Sequence, residues 1–343
     1  MSKLYNYLPI DQVSIGERSI EGVISLIGKD RLKDSVITTS NSVSQNAFFK
    51  KAADELSESR IFNSISQHSP IEEIESIANE IRGSNVKFIV SIGGGSVIDS
   101  TKVIRSKVET SIAQVAIPTT LSAAEFSHIA GYSENGEKKG IRAKELVPRY
   151  IFLDPNATLE TPTTLWRSTG IRSIDHAIEA TLGDGFVDLR VNLSKISVEK
   201  MLANLEGNWV DHRQECQVAS WYSYMDEYDS EMGYSHKIGK VIGAKFDIPH
   251  GMTSCITLPE VLRYYSSSSP PKGLASLAMA LDGNTDSAES VNSLADKIEA
   301  FIKEMDLHRK LSDYGVKEED LTYIAEKVGQ KDQLFMEHLR NML

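Results

Sequence analysis

Five mostly apolar residues, Phe88-Ile89-Val90-Ser91-Ile92, run straight into three consecutive glycines, Gly93, Gly94 and Gly95. An apolar run bounded by turn formers reads as a strand covered on both faces, as in a parallel sheet flanked by helices. Ser96 follows as an N-cap, and Val97, Ile98, Thr101 and Ile104 then share one face of a helix. Glycine backbone lets a ligand approach closely and tolerates φ > 0. The open N–H groups of a helix start favour an anion above the turn, and a pyrophosphate suits them. The spacing is not G-x-G-x-x-G, so it points to a phosphate without choosing a nucleotide, and a tight turn with no ligand is the competing reading.

The surrounding chain alternates in the same way. Ser19, Ile20, Val23, Ile24, Leu26 and Ile27 fall at helical spacing within residues 18–28 and stop near Gly28. Val36 and Ile37 make a short strand that ends in Thr38-Thr39-Ser40-Asn41-Ser42. No carboxylate stands there to bind a ribose 2′-hydroxyl, which leaves room for a 2′-phosphate and hence for NADP. A helix over 44–58, a strand near 60–66 and a helix over 71–82, closed by Gly83, lead back to the glycine turn. Residues 113–120 form a strand running into Thr119 and Thr120, Asn135-Gly136 predicts a type I′ hairpin, and Tyr150–Leu153 is a last strand closed by Asp154-Pro155. This alternation predicts a doubly wound, mainly parallel sheet. Beyond Pro155 the periodicities are helical, with Ser266–Pro271 a loop between helices. The plan is therefore an α/β dinucleotide-binding domain over 1–155 and an all-helical substrate domain over 156–343, with the ligand cleft between them.

Composition narrows the class. With 343 residues, 41% hydrophobic and 25% charged, the chain can fill two cores of ordinary globular type. A net charge of −11 argues against nucleic acid or an anionic membrane as partner. Cys216 and Cys255 are too few for a disulfide framework and fit a reducing compartment. The first residues carry no signal-peptide core and no apolar run reaches about 18 residues. A cytoplasmic protein is the expectation.

Three histidines of the helical half lie in Gly- or Pro-bearing segments: His176 in Gly170–Ala180, His236 in Tyr234–Lys240 and His250 in Phe246–Met252. Imidazoles converging on a cleft suit metal binding or proton transfer, although any one of them alone more often packs a core. Taken together, Gly-Gly-Gly-Ser-x-x-Asp-x-x-Lys at Gly93–Lys102, Ile117-Pro118-Thr119-Thr120, Gly170 with His176-Ala177-Ile178-Glu179, and His236 followed by Pro249-His250-Gly251 resemble the iron-containing alcohol dehydrogenase superfamily. The match runs over nearly the whole chain in the family's order. Gly-Ile-Arg-x-x-Asp-His at Gly170–His176 is similar to the maleylacetate reductase-like branch.

The resemblance implies NAD(P)H as cofactor and a small-molecule substrate. Gly93, Gly94, Gly95 and Ser96 would hold the pyrophosphate, with Asp99 near the nicotinamide side. Thr119, Thr120 and Ser122 would line the dinucleotide, and Lys138 or Lys139 would touch the ribose. In metal-dependent members a divalent ion, Fe or Zn, is held by an Asp four residues before the helix histidine, by that histidine, and by two later histidines fourteen apart. His176, His236 and His250 fit, since 250 − 236 = 14, but the position four before His176 is Arg172. A guanidinium cannot ligate a cation and repels one. Asp175 lies about 100° round the helix from His176 and does not replace the lost ligand; an Arg172–Asp175 pair at i, i+3 accounts for both residues more simply. Position 240, often a further histidine in the family's dehydrogenases, is lysine.

Two mechanisms follow. In the favoured one no metal binds: Arg172 and Lys240 grip a carboxylate or enolate, His236 or His250 supplies the proton, and NAD(P)H reduces a carboxylate-bearing carbonyl or enone. In the other, the three histidines and water hold an ion that polarises an alcohol or aldehyde. A dehydroquinate synthase-like lyase and an inert nucleotide-binding protein are further readings. Arg172 counts against the first, and the retained histidines count against the second. A homodimer is the assembly that the resemblance suggests.

Overall fold

The computed structural model describes residues 7–135, 137–183, 187–224 and 232–343. The chain forms two units, Asn6–Thr161 with Gly207–Val218 and Pro162–Glu206 with Ala219–Leu343.

The first is an α/β unit. Its strands are β1 (Gln12–Ile15), β2 (Ser35–Thr38), β3 (Arg60–Phe62), β4 (Phe88–Gly93), β5 (Ala113–Pro118), β6 (Ile129–Glu134), β7 (Glu137–Arg142) and β8 (Tyr150–Leu153). Its helices are α1 (Ser19–Ile27), α2 (Ala47–Glu55), α3 (Ile71–Ile81) and α4 (Gly95–Val108). Six strands pair in the order β1-β8-β5-β4-β2-β3, all parallel, while β6 and β7 make a separate antiparallel hairpin. Because side chains alternate along a strand, neighbours divide between the two faces. Ile37, Val90, Ile92 and Val115 pack under Ile20, Val23, Phe49 and Ala52 of α1 and α2. Val36 and Ile89 pack under Ile74, Ile77, Val103 and Ile104 of α3 and α4 on the other face. The doubly wound sheet follows from that double coverage.

The second unit is helical: α5 (Thr163–Glu179), α6 (Val187–Asn204), the end of α7 (Val210–Ser223), α8 (Tyr234–Lys245), α9 (His250–Ser268), α10 (Lys272–Asp282), α11 (Ser287–Glu304), α12 (Glu318–Val328) and α13 (Gln333–Asn341). Glycines bring its central helices close. A Cβ on Gly251 of α9 would lie 2.8 Å from the Ser168 backbone of α5, and one on Gly239 of α8 would lie 2.8 Å from Thr253 of α9. No described helix is long and apolar enough to cross a membrane.

Several local expectations need correction. Ser96 does not cap α4: the helix begins at Gly95, and Gly94 stands at the cap position with φ −79° and ψ −171°. None of the three consecutive glycines has positive φ, so they are required for closeness and not for handedness. A 3-10 turn over Val43–Gln45 precedes α2, so the helix is shorter than 44–58, and the strand near 60–66 covers only Arg60–Phe62. Helix α9 continues through Ser268, which leaves 269–271 as the loop. Strand β1, short and half exposed, gave no periodicity to read. At the hairpin Asn135 has φ 53°, as a type I′ turn requires; Gly136 lies outside the described residues. Gly83 does end α3, with φ +75°.

Candidate active site

Strands β4 and β5 leave the sheet side by side, with Gly93 opposite Pro118 and the Thr119 N–H donating to the Gly93 carbonyl at 3.0 Å. The glycine turn therefore faces the hydroxyl-bearing loop that begins at Thr119. A Cβ on Gly94 would stand 3.0 Å from Thr120 Cγ2, and one on Gly95 would stand 3.0 Å from Ser122 Oγ. Among the described residues the N–H groups of Gly95 and Ser96 meet no acceptor. A shallow bed of open N–H groups at a helix start, walled by Thr120 and Ser122, fits a pyrophosphate.

A buried ammonium holds that wall. Lys102 of α4 is fully buried and spends its three hydrogens on Asp99 Oδ1 at 3.0 Å, the Ala124 carbonyl at 2.6 Å and the Ile129 carbonyl at 2.8 Å. Asp99 Oδ2 accepts the Gly131 N–H at 3.1 Å. Asp99 Oδ2 thus ties α4 to β6, while its Oδ1 pairs with Lys102 one turn along the same helix. Glu125, 1% exposed, has an Oε2 with no partner among the described residues. Burial pushes its carboxyl up to about 7 against the opposing charge of Lys102. Lys138 and Lys139 are exposed on β7, where Lys139 pairs with Glu134 across the hairpin.

The second constellation lies within the helical unit, where α5, α8 and α9 meet. Arg172, 4% exposed, donates from Nη1 to Ser254 Oγ at 2.9 Å and sits 3.5 Å from Asp175 Oδ2. Asp175 Oδ2 also accepts the hydroxyls of Ser254 at 2.6 Å and Ser235 at 2.9 Å. His236 Nδ1 lies 2.5 Å from Glu179 Oε2, and its ring stacks on His176 with centroids 4.8 Å apart. Tyr224 meets His176 edge-on at 5.3 Å. His250 opens α9 and is exposed, and its charge is one of those that depress His176. Lys240 is exposed one turn beyond His236 on α8, at a spacing that places the two residues on the same side of the helix.

Burial sets the protonation here. It is the largest cause holding His236 down, to about 3, and His176 well below the usual imidazole range, with the Arg172 charge adding to both. Both imidazoles are neutral at pH 7. Burial raises Asp175 and Glu179, the latter to about 7, while N–H donors and Arg172 oppose the rise at Glu179. Glu179 accepts the Ser235 N–H at 2.7 Å and the His236 N–H at 3.4 Å. An oxygen pair surrounded by donors is best served by a carboxylate.

Ligand atoms of Asp175, Glu179 and His236 all lie within 4.8 Å of one another. Asp175 Oδ2, Glu179 and His236 Nδ1 already have hydrogen-bond partners, whereas Asp175 Oδ1 has none among the described residues. The Arg172 guanidinium, 3.5 Å from Asp175 Oδ2, sets a fixed positive charge beside these atoms and disfavours a divalent ion there. Of the residues read from sequence, the structure brings Arg172, His176 and His236 into one cluster with His250 at its edge, and Gly93 to Ser96 beside Thr119, Thr120 and Ser122. It sets Lys138 and Lys139 out on the hairpin. Sequence reasoning did not single out Glu179, Ser235, Ser254 or Glu125. Glu179 stands three residues after His176, a helical spacing that could have marked it; the serines gave no such signal.

The family described as iron-containing alcohol dehydrogenase matches residues 11–155, and its C-terminal counterpart, described as the Fe-containing alcohol dehydrogenase family, C-terminal, matches residues 167–342. Dehydrogenase ALT3 of Alternaria alternata is 27% identical over 351 residues, covering 84% of this chain and 91% of that protein. A maleylacetate reductase of Pseudomonas aeruginosa is 26% identical over 270 residues, covering 77% of this chain and 74% of its own. The crystal structure of maleylacetate reductase from Agrobacterium tumefaciens superposes with a TM-score of 0.85 at 22% identity, covering 100% of this chain and 98% of that one.

Proposed function

The chain belongs to the iron-containing alcohol dehydrogenase family, in its maleylacetate reductase-like branch, and on that premise we propose that this oxidoreductase is a metal-independent, NAD(P)H-dependent reductase of a small carboxylate-bearing carbonyl or enone. One observation carries the reading: a buried guanidinium, Arg172, stands among the histidines where a cation-binding carboxylate is expected.

Gly94, Gly95 and Ser96 would receive the pyrophosphate on open N–H groups, between the walls made by Thr120 and Ser122. A reduced nicotinamide held there supplies the hydride. Arg172 is buried, with Nη1 turned to Ser254 and Asp175, so it contributes fixed charge that adds to burial in holding His176 and His236 neutral. The carboxylate-binding role therefore falls to Lys240, whose ammonium is exposed. His250, exposed at the start of α9, gives the proton to the developing alkoxide. His236, with Nδ1 beside Glu179, presents Nε2 as its remaining ring nitrogen. An oxo-dicarboxylate of the maleylacetate type is the substrate class that this distribution of charge suits, in a homodimer that light scattering checks.

Loss of absorbance at 340 nm, followed with NADH and NADPH against oxo-dicarboxylates and simple aldehydes, tests the proposal. Turnover with the acids above that with aldehydes is expected. No consumption with any of them, together with no rise in melting temperature on adding nucleotide, would overturn it.

A further inference from the structure

We infer that Glu179 is a positioning residue, which fixes the proton of His236 on Nδ1 and caps, from a different helix, the helix that carries His236. The inference rests on the reading of this cluster as the catalytic centre. The N-cap position of α8 is Gly233, which has no side chain to offer the free N–H groups of the first turn. Glu179, near the end of α5, supplies that cap. Its Oε1 accepts the Ser235 N–H at 2.7 Å, and its Oε2 accepts the His236 N–H at 3.4 Å.

The same Oε2 lies 2.5 Å from His236 Nδ1. The Ser235 and His236 N–H donors on its two oxygens favour Glu179 in its carboxylate form, and in that form it can only accept, so the imidazole donates from Nδ1 and its Nε2 keeps the lone pair. Asp175 Oδ2 is a more distant alternative at 3.5 Å and already receives two hydroxyl hydrogens. The neutral His176 ring stacks on His236, and Tyr224 meets His176 edge-on. Gly233 is what allows the arrangement: a Cβ there would lie 2.4 Å from Glu179 Oε1, 2.5 Å from its Cδ and 2.5 Å from Leu182 Cδ1. Glycine at the cap is thus the condition for a carboxylate from α5 to reach both the helix end and the imidazole. Partners that orient an imidazole in this way typically change activity by about 10–100-fold when removed.

The test is side-chain 15N NMR of histidine-labelled full-length protein, with the His236 resonances identified by their loss in His236→Ala. In the unsubstituted protein, Nδ1 should be protonated and Nε2 bare. A proton on Nε2 would overturn the inference without any variant having to fold. In Glu179→Gln the side-chain carbonyl keeps the backbone cap and the amide hydrogens turn to Nδ1, so the proton should move to Nε2. In that variant kcat should fall about 10–100-fold with the nucleotide Kd unchanged. An unmoved tautomer, or a moved one with unchanged kcat, would contradict the role. The tautomer is read without turnover, so a correct tautomer in a protein that oxidises no NAD(P)H would sink the reductase proposal and leave the hydrogen-bond assignment standing.

Discussion

Replacing Gly94 by alanine separates the space beside the glycine turn from the strain in it. The backbone there, φ −79° and ψ −171°, suits any residue, so the substitution introduces no conformational penalty. The added Cβ would meet Thr120 Cγ2 at 3.0 Å and Oγ1 at 3.3 Å. Carbon pairs prefer about 3.5–4.0 Å, so Thr120 must give by a few tenths of an ångström. That costs about 1 kcal/mol, the low end of overpacking, and lowers Tm by about 2–4 °C. A bound diphosphate loses much more, because the methyl stands in the bed from which N–H groups reach it. One charge-assisted hydrogen bond is worth about 1.5–3 kcal/mol, or roughly 10- to 150-fold in Kd. Calorimetric titration with NADH and NADPH reads Kd, and a thermal melt reads stability. Gly83→Ala is the control: φ +75° strains the new residue, yet nothing lies within 4 Å of its Cβ. It should lose stability and bind nucleotide normally. A Gly94→Ala protein that binds within twofold of the parent would refute the cradle.

Other consequences are equally direct. Glu125 has an ordinary carboxyl value of 4.5 when unfolded and about 7 when folded, so its contribution is fully present below the lower value and is lost as pH rises through the higher one. Glu125→Gln removes that loss, and its stability relative to the parent, measured by urea unfolding, should grow by about 3 kcal/mol between pH 4 and pH 8; a constant difference would contradict the buried carboxyl. Arg172→Asp leaves Asp175 without its cation and should cost about 3–5 kcal/mol, partly recovered when Zn²⁺ or Fe²⁺ is added; a melting temperature indifferent to metal would refute the charge argument. Lys240→Met should raise KM for a dicarboxylate at least about 10-fold and leave that for a neutral aldehyde unchanged. Equal KM changes for both would remove Lys240 from substrate binding.

The sequence was most legible where one physical signal dominated. Ile89, Val90 and Ile92, fully buried in the structure, could be read as a central strand because so short a run, apolar on both faces and closed by glycines, suits a strand with helices above and below it. The i, i+3 pairing of Arg172 with Asp175 was readable for a similar reason, since helix geometry alone brings the two together. Ser96 was misplaced because serine's preference for caps competes with glycine's ability to start the turn one residue earlier. The partners of Arg172 and His236 were not readable in full: Ser254 and Ser235 reach Asp175 across 79 and 60 residues of chain, and no local pattern encodes such a contact. The role of Gly233 became visible only when the neighbouring carboxylate was placed against it.

The most direct measurement is the metal content of the purified protein, by mass spectrometry, taken together with its turnover of an oxo-dicarboxylate before and after chelation. A centre whose positive charge comes from Arg172 predicts metal far below one equivalent and a rate that neither chelator nor added Fe²⁺ or Zn²⁺ alters. One equivalent of bound ion, with activity lost on its removal and restored on its return, would contradict it.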